Sequence, residues 1–277
     1  MLNRASKPFV KLVERYLPDP YIFVLLLTLI TFAFAVVIQN QSPLTTIQQW
    51  GDGFWGLLTF SMQMLLVLVT GFMLACTPLV KALLERLASL AKSPGSAIVL
   101  VTLVSLIASW INWGFGLVVG ALFAKALARK VSVDYRLLVA SAYSGFIVWH
   151  GGLAGSVPLT IATPGHFSEA QIGVVGTGET IFSGFNLLLL AIMFVIIPLV
   201  NRLMLPPESE SIIVDSAKLK DDALPSATNE RPADKLENSK VLGLLVGFAG
   251  LAYLTNYFVS GGGLNLNIVN TLFLFLA

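Results

Sequence analysis

The sequence predicts an all-α polytopic membrane protein. Three observations carry that prediction. Hydrophobic residues make up 56 % of the 277 residues and charged ones 12 %, about half the charged share of a soluble domain. Mean hydropathy is +0.83. The apolar residues gather in runs about as long as a hydrocarbon core is thick. A soluble core could not bury so much apolar surface. The same figures exclude a cytosolic enzyme, a disulfide-stapled secreted domain and a nucleic-acid binder. A net charge of +2 leaves no electrostatic footprint for DNA or RNA. The single cysteine, Cys76, forbids an internal disulfide and any CxxC site.

Residues 1–20 read as a basic interfacial helix. Leu2, Phe9, Val13 and Tyr16 alternate with Arg4, Lys7, Lys11 and Arg15 at helical spacing. An unstructured positive flank that serves topology alone is the open alternative. The apolar run that follows is too long for a signal-peptide core and no small-x-small site succeeds it, so the expectation is an uncleaved anchor. A first membrane half is expected over 21–201. Its spans are 21–38, which is charge-free and about 27 Å long as a helix, then 57–80, 96–128, 137–161 and 181–201. NWGFG interrupts the third run and WHGGLAGS the fourth.

Lysine and arginine placement sets the orientation. All 17 lie before the first span, after the second, after the third, or between 181–201 and the next run at 241–259. The loops 39–56 and 162–180 contain none. The N-terminus is therefore expected on the cytoplasmic side and those two loops outside. Both flanks of 96–128 are basic, so this segment starts and ends on one side. Its 33 residues fall short of the roughly 40 that two crossings need. A re-entrant helical hairpin with its tip near Trp110 to Gly116 is the preferred reading, and two short steep helices the alternative.

Residues 202–240 read as a cytoplasmic linker. From Pro206 onward they hold eight acidic and five basic residues and no aromatic one, too little apolar surface to fold. Residues 241–277 read as the start of a second membrane half. The last ten residues, IVNTLFLFLA, amount to half a span. A terminal carboxylate inside hydrocarbon would have to be solvated, so the expectation is a second half that is cut short.

Candidate chemistry sits where apolar runs carry polar atoms and helix breakers, because irregular backbone at membrane depth must line a cavity or be buried in protein. The first such place is Ser109 to Gly116. Gly114 and Gly116 permit a turn, and Asn112 offers one acceptor and two donors. The helix leaving the tip aims free N–H groups at it, an anion site without arginine. Trp110 and Trp113 could wall in a short alkyl chain. A tryptophan pair at the interface is the plainer reading. The second place is SAYSGFIVWHGGLAGSVP at 141–158, whose four glycines and Pro158 make a continuous helix unfavourable. A broken span is the usual ligand-site architecture of secondary transporters. His150 lies inside it, and an ionisable residue there is functional by default. It could carry a proton or donate to a carboxylate; a neutral histidine capping a broken helix is the alternative. Glu179 reads as a helix N-terminal carboxylate, His166 and Glu169 as solvated loop residues, and Gln63 and Thr70 as helix-packing groups. No Walker lysine, HExxH, CxxC or GxSxG is present. No enzyme activity, cofactor, catalytic residue or metal site is expected.

SWINWGFGLVVGAL at 109–122, SGFIVWHGGLAGSVPL at 144–159 and LVERYLPDPYIFVLLLT at 12–28 resemble the short-chain fatty acid transporter family, whose members are associated with acetoacetate and butyrate uptake in bacteria. The resemblance covers nearly the whole chain. It implies a multi-pass secondary carrier of short carboxylates in the inner membrane, coupled to H⁺ or Na⁺. The wider superfamily of ion-coupled anion carriers implies inverted repeats with re-entrant hairpins, of which this chain would hold one half. Residues carried over from the two motifs are Asn112, Trp113, Gly114, Ser144, His150, Gly151, Gly152 and Ser156. Trp149 joins Trp113 as an expected wall for the alkyl chain. The expected partners are a short-chain carboxylate such as acetoacetate or butyrate, the coupling ion and the lipid bilayer. A second copy completing the site as a homodimer is also entertained, and nucleic acid is not. Two rivals remain. One is a truncated, non-transporting membrane subunit. The other is an ion antiporter, against which the absence of an embedded carboxylate argues.

Overall fold

A computed structural model describes residues 2–53, 55–219 and 239–276, and its regular elements are all helical. Six segments among them are long and apolar enough to cross a membrane: Pro20–Val37, Leu58–Ala75, Pro94–Ile111, Tyr135–Ile161, Gly184–Leu203 and Lys240–Val259. The chain is a multi-pass helical membrane protein. It divides into two compact units, residues 1–62 and 63–277.

The first unit holds α1 (Leu2–Tyr16), α2 (Pro20–Val37) and α3 (Pro43–Gly53). Asp19 caps α2 by accepting from the Tyr21 amide at 2.9 Å, with Pro20 in the first turn, where its missing N–H costs nothing. Thr28 and Thr31 bond back to the carbonyls of Val24 and Leu27, so their hydroxyls are satisfied within the helix. No residue of α2 is buried. A continuous apolar cylinder of that kind is at home in lipid rather than water. On α1, Phe9, Val13 and Tyr16 are exposed, and the Arg15 guanidinium lies 5.6 Å from the Tyr16 ring.

The second unit is built around a hairpin of α6 (Pro94–Ile111) and α7 (Trp113–Lys130). One residue, Asn112, separates the arms. Ser93 caps α6 in a reciprocal capping box with Ser96, and Pro94 fills the first turn. Each arm has 18 residues and measures about 27 Å. The arms are therefore longer than hydropathy over 96–128 suggested. Capping adds Pro94 and Gly95 at one end, and Arg129 and Lys130 extend the other. Ile98, Val101, Phe123, Ala124, Leu127 and Leu138 form the buried core. Around the hairpin pack α5 (Pro78–Ala88), α8 (Tyr135–Ser144) and α11 (Gly184–Leu203), while α4 (Leu58–Ala75) touches it at the tip. Between α8 and α11 run a 3₁₀ segment (Gly145–Gly151), α9 (Ser156–Ile161) and a single turn, α10 (Glu169–Ile172).

Two helices follow the linker, α12 (Lys240–Val259) and α13 (Leu266–Leu276). Polar bonds tie α13 to earlier elements. Gln63 Nε2 donates to Asn267 Oδ1 at 2.6 Å, Asn270 donates to the Gln63 carbonyl at 3.3 Å, and the Leu266 amide donates to Thr163 at 3.1 Å. Such side-chain bonds hold helices together where lipid gives no hydrophobic drive.

Part of the expected linker is docked. The Tyr135 amide donates to the Ile212 carbonyl and the Ile212 amide to Asp134, both at 2.9 Å. Arg129 donates to the carbonyl of Leu219, which is buried. Backbone groups, which composition does not count, supply these bonds. The remainder of the linker, 220–238, lies outside the described residues.

Asp134 anchors this docking. Burial would raise its pKa, but bonds from Arg136 at 2.7 Å and from the Ile212 and Leu137 amides hold it below the ordinary carboxylate range. A lowered folded value contributes stability that is complete above the unfolded value, about pH 4, and is lost as the pH falls through the folded one. Hydrogen exchange at the Ile212 amide, corrected for intrinsic rate, should accelerate below about pH 4. Asp134→Asn, which keeps the helix cap, should accelerate it already at neutral pH. Unchanged exchange in that variant would show that the carboxylate does not hold the segment.

Candidate functional site

A polar stripe runs down α6. Thr102, Ser105, Ser109 and Asn112 recur at spacings of three and four, which puts them on one face. All four are buried. Opposite them α7 presents Gly116 and Gly120, so the two backbones come together. A Cβ on Gly116 would lie 2.5 Å from both N and Cα of Ser109. One on Gly120 would lie 3.0 Å from Ser105 Oγ. Pairings 105/120 and 109/116 share one antiparallel register.

Asn112 makes the turn. Its backbone is extended (φ −156°, ψ 126°), its N–H donates to the Ala108 carbonyl at 2.9 Å, and its carbonyl accepts from Gly116 at 2.8 Å. Its side-chain Oδ1 accepts from the Phe115 amide at 2.9 Å, capping α7. The residue is 1 % exposed. Three buried polar atoms at this tip have no hydrogen-bond partner: Asn112 Nδ2, Trp113 Nε1 and Ser109 Oγ. Helix α4 crosses over the tip. A Cβ on Gly71 would sit 2.5 Å from the Phe115 nitrogen and 3.0 Å from Asn112 Oδ1, and one on Gly114 would sit 2.9 Å from the Val67 carbonyl oxygen.

The broken run meets the tip from the other side. Helix α8 ends at Ser144, and Gly145 lies on Ser105, whose carbonyl carbon would be 2.6 Å from an added Cβ. The Ser105 hydroxyl bonds to the Ala142 carbonyl. The 3₁₀ segment then carries the chain past the tip. Gly152 rests against the Trp110 carbonyl, and the Leu153 amide donates to that same oxygen at 2.7 Å. Residues three apart eclipse in a 3₁₀ helix. Phe146 and Trp149 accordingly stack with ring centroids 4.9 Å apart and planes at 18°. Tyr143, in the last turn of α8, extends the stack at 6.0 Å and 25°. Trp113 stands edge-on to both, 5.9 Å from Trp149 and 6.3 Å from Phe146.

Of the sequence-selected residues, Asn112, Trp113, Gly114, Trp149 and Gly152 converge at this junction. The others are distributed around it. Ser144 bonds to the Ser141 carbonyl at 2.8 Å and accepts from Asn201 at 2.8 Å, so its hydroxyl works as a tether. Gly151 is held by Asn186, which donates to its carbonyl at 3.1 Å. Ser156 opens α9 with a buried, unpartnered hydroxyl. His150 is exposed, its ring 3.7 Å from that of Trp149.

Sequence reading passed over Ser105, Phe146, Asn186 and Asn201. The 3–4 spacing of polar residues in α6 opposite small ones in α7 was an available signal for the first. Asn201 also donates to Thr102 at 3.0 Å, joining α11 to α6 and α8. Glu179 is not at a helix start: it is exposed in a turn, and Ser183 caps α11 instead. His166 and Glu169 are engaged within their own loop, His166 with the Gly173 carbonyl and Glu169 with the Gly165 amide. No group of three metal-ligating side chains occurs among the described residues.

The family model described as short chain fatty acid transporter matches residues 1–277. A protein of Escherichia coli K12 named "Putative short-chain fatty acid transporter" is 44 % identical over 281 residues, covering 99 % of this chain and 63 % of its own length. One of the same name from Haemophilus influenzae is 40 % identical, with 99 % and 64 % covered. The chain thus spans just under two thirds of these relatives. No solved structure matches.

The backbone contact at 109/116 predicts that Gly116→Ala destabilises the hairpin by about 1–3 kcal/mol, the cost of overpacking. Gly184→Ala, where nothing lies within 4 Å, should be close to neutral. Thermal unfolding in detergent compares the two, and equal transitions would contradict the close approach.

Proposed function

The chain belongs to the short-chain fatty acid transporter family, and on that premise we propose that it carries short carboxylates such as acetoacetate or butyrate across the bacterial inner membrane. The N-terminus is cytoplasmic in this reading, and the α6–α7 hairpin enters from that side because both its flanks are basic. Asn112 is then the hairpin's deepest point. The substrate carboxylate accepts from Asn112 Nδ2 and Trp113 Nε1. Its alkyl tail lies against Trp113 and Trp149. His150 carries a coupling proton, or backbone carbonyls at the break in the 144–156 run hold Na⁺. The full site is completed by a second inverted half or by a second copy of the chain.

One observation carries this reading: two buried N–H donors without partners, set at a helix N-terminus and against aromatic faces. A buried donor left unmade costs about 1–3 kcal/mol, a cost removed when a ligand accepts its hydrogen bond. The donors are neutral, so they recognise a carboxylate without the tight hold of an arginine pair. A carrier must release what it binds, and a neutral site serves that need. The aromatic faces offer an apolar surface to a tail but no polar partner.

Uptake of labelled butyrate by cells producing the protein as its gene encodes it tests the assignment. Asn112→Ala removes a charge-assisted bond and should lower kcat/KM by roughly 10- to 150-fold. Trp113→Phe keeps a ring and deletes only Nε1, so a loss of about tenfold with normal membrane levels is expected. Wild-type rates in both variants would remove the hairpin tip from the site. Proton-driven uptake should fail in His150→Ala; unchanged proton-driven uptake would show that His150 does not carry the coupling proton.

A further inference from the structure

We propose that Phe146 sets the length of carboxylate that the protein accepts. The inference rests on the carboxylate reading above and adds to it a residue and a selectivity. The Tyr143, Phe146 and Trp149 rings stack on one another in a row, and the direction of that row is defined. Trp149 is the end beside the hairpin tip, because three residues later Gly152 and Leu153 touch the Trp110 carbonyl. Phe146 is one 3₁₀ turn further along, about 6 Å by the rise of that helix. Tyr143 is the far end and is 65 % exposed.

Trp113 stands against one side of this row. Its indole lies nearly perpendicular to both Trp149 and Phe146, at 73° and 75°. Its buried Nε1 and the buried Nδ2 of the adjacent Asn112 mark the polar end. A carboxylate held there directs its tail along the stack. A two-carbon acid ends beside Trp113 and Trp149. Each added methylene carries the tail toward Phe146, which is half-buried and clamped between the Trp149 and Trp113 rings. The Phe146 ring cannot swing aside without breaking both ring contacts. It therefore acts as the stop, while Trp113 and Asn112 bind the head group common to all substrates.

The test is the chain-length profile of uptake, from acetate to octanoate, in cells producing the complete protein. Phe146→Ala should raise the hexanoate-to-butyrate ratio of kcat/KM by about tenfold or more, the discrimination one or two methylenes can supply in an apolar pocket. Phe146→Trp should lower that ratio. The ratio is insensitive to expression, which a merely structural role would change instead. If Phe146→Ala does not reach the membrane, Phe146→Leu and Phe146→Trp decide the question by opposite shifts. A wild-type ratio in variants that still take up butyrate overturns the role of Phe146 and leaves the carboxylate site standing. No uptake of any carboxylate by the wild type overturns the carrier reading and this inference with it.

Discussion

Asn112 ends one helix and begins the next with a single residue. Its N–H closes α6 on Ala108, its carbonyl accepts from Gly116, and its side chain caps α7. A turn between two packed helix arms must satisfy the buried backbone groups that it frees, and here one side chain and one peptide unit do most of that. The economy has a structural result. With the turn so short, the arms leave it in contact, and only glycine or serine fits between them at 105/120 and 109/116. It also has a chemical result. The carboxamide spends its oxygen on the cap and keeps its nitrogen, which fixes a donor at the tip.

The remaining irregular backbone is sealed in the same way, by groups reaching across from neighbouring elements. Asn186 of α11 takes the Gly151 carbonyl, Trp110 of α6 accepts from Leu153, and Asn201 bridges Thr102 and Ser144. None of these bonds involves a charged group. The charged contacts lie at the ends of the helices instead, where Glu85 meets Arg129 and Lys130, and Asp134 meets Arg136. The half-exposed Glu85 pairs contribute little on their own, whereas Asp134 is buried and anchors the docked segment. The interior is held by neutral hydrogen bonds and close backbone approach, and the rim positions the chain segment after α11.

The helical membrane class was legible because hydropathy and length report directly on lipid. The bend at NWGFG and the break after Ser144 were legible because glycine and asparagine mark interruptions locally. What hydropathy could not show was pairing. Asn186 and Asn201 sit near the ends of an otherwise clean apolar run, where a polar residue reads as interfacial. Phe146 in an apolar run looks like any lipid-facing side chain, and nothing in hydropathy separates 3₁₀ from α winding. The docked part of the linker escaped notice because its bonds run through backbone amides and carbonyls, which every sequence has. Glu179 was misplaced because a carboxylate before an apolar run imitates a helix start, whereas Ser183 supplies the cap.

The seven residues Gly145–Gly151 form an unusually long 3₁₀ stretch, since such runs seldom pass four residues. Wound this way they cover about 14 Å; wound as an α-helix they would cover about 10.5 Å. The angular step per residue differs as well, about 120° against 100°. The segment is thus a 3₁₀ screw clamped at Ser105 on one end and Trp110 on the other. Its present thread lines up Phe146 and Trp149. Both clamps belong to the continuous helix α6, which fixes the distance between them, whereas the ~100° step of an α thread would fan these rings apart. The rigidity of α6 between its two anchor points is therefore what keeps the aromatic rings in line.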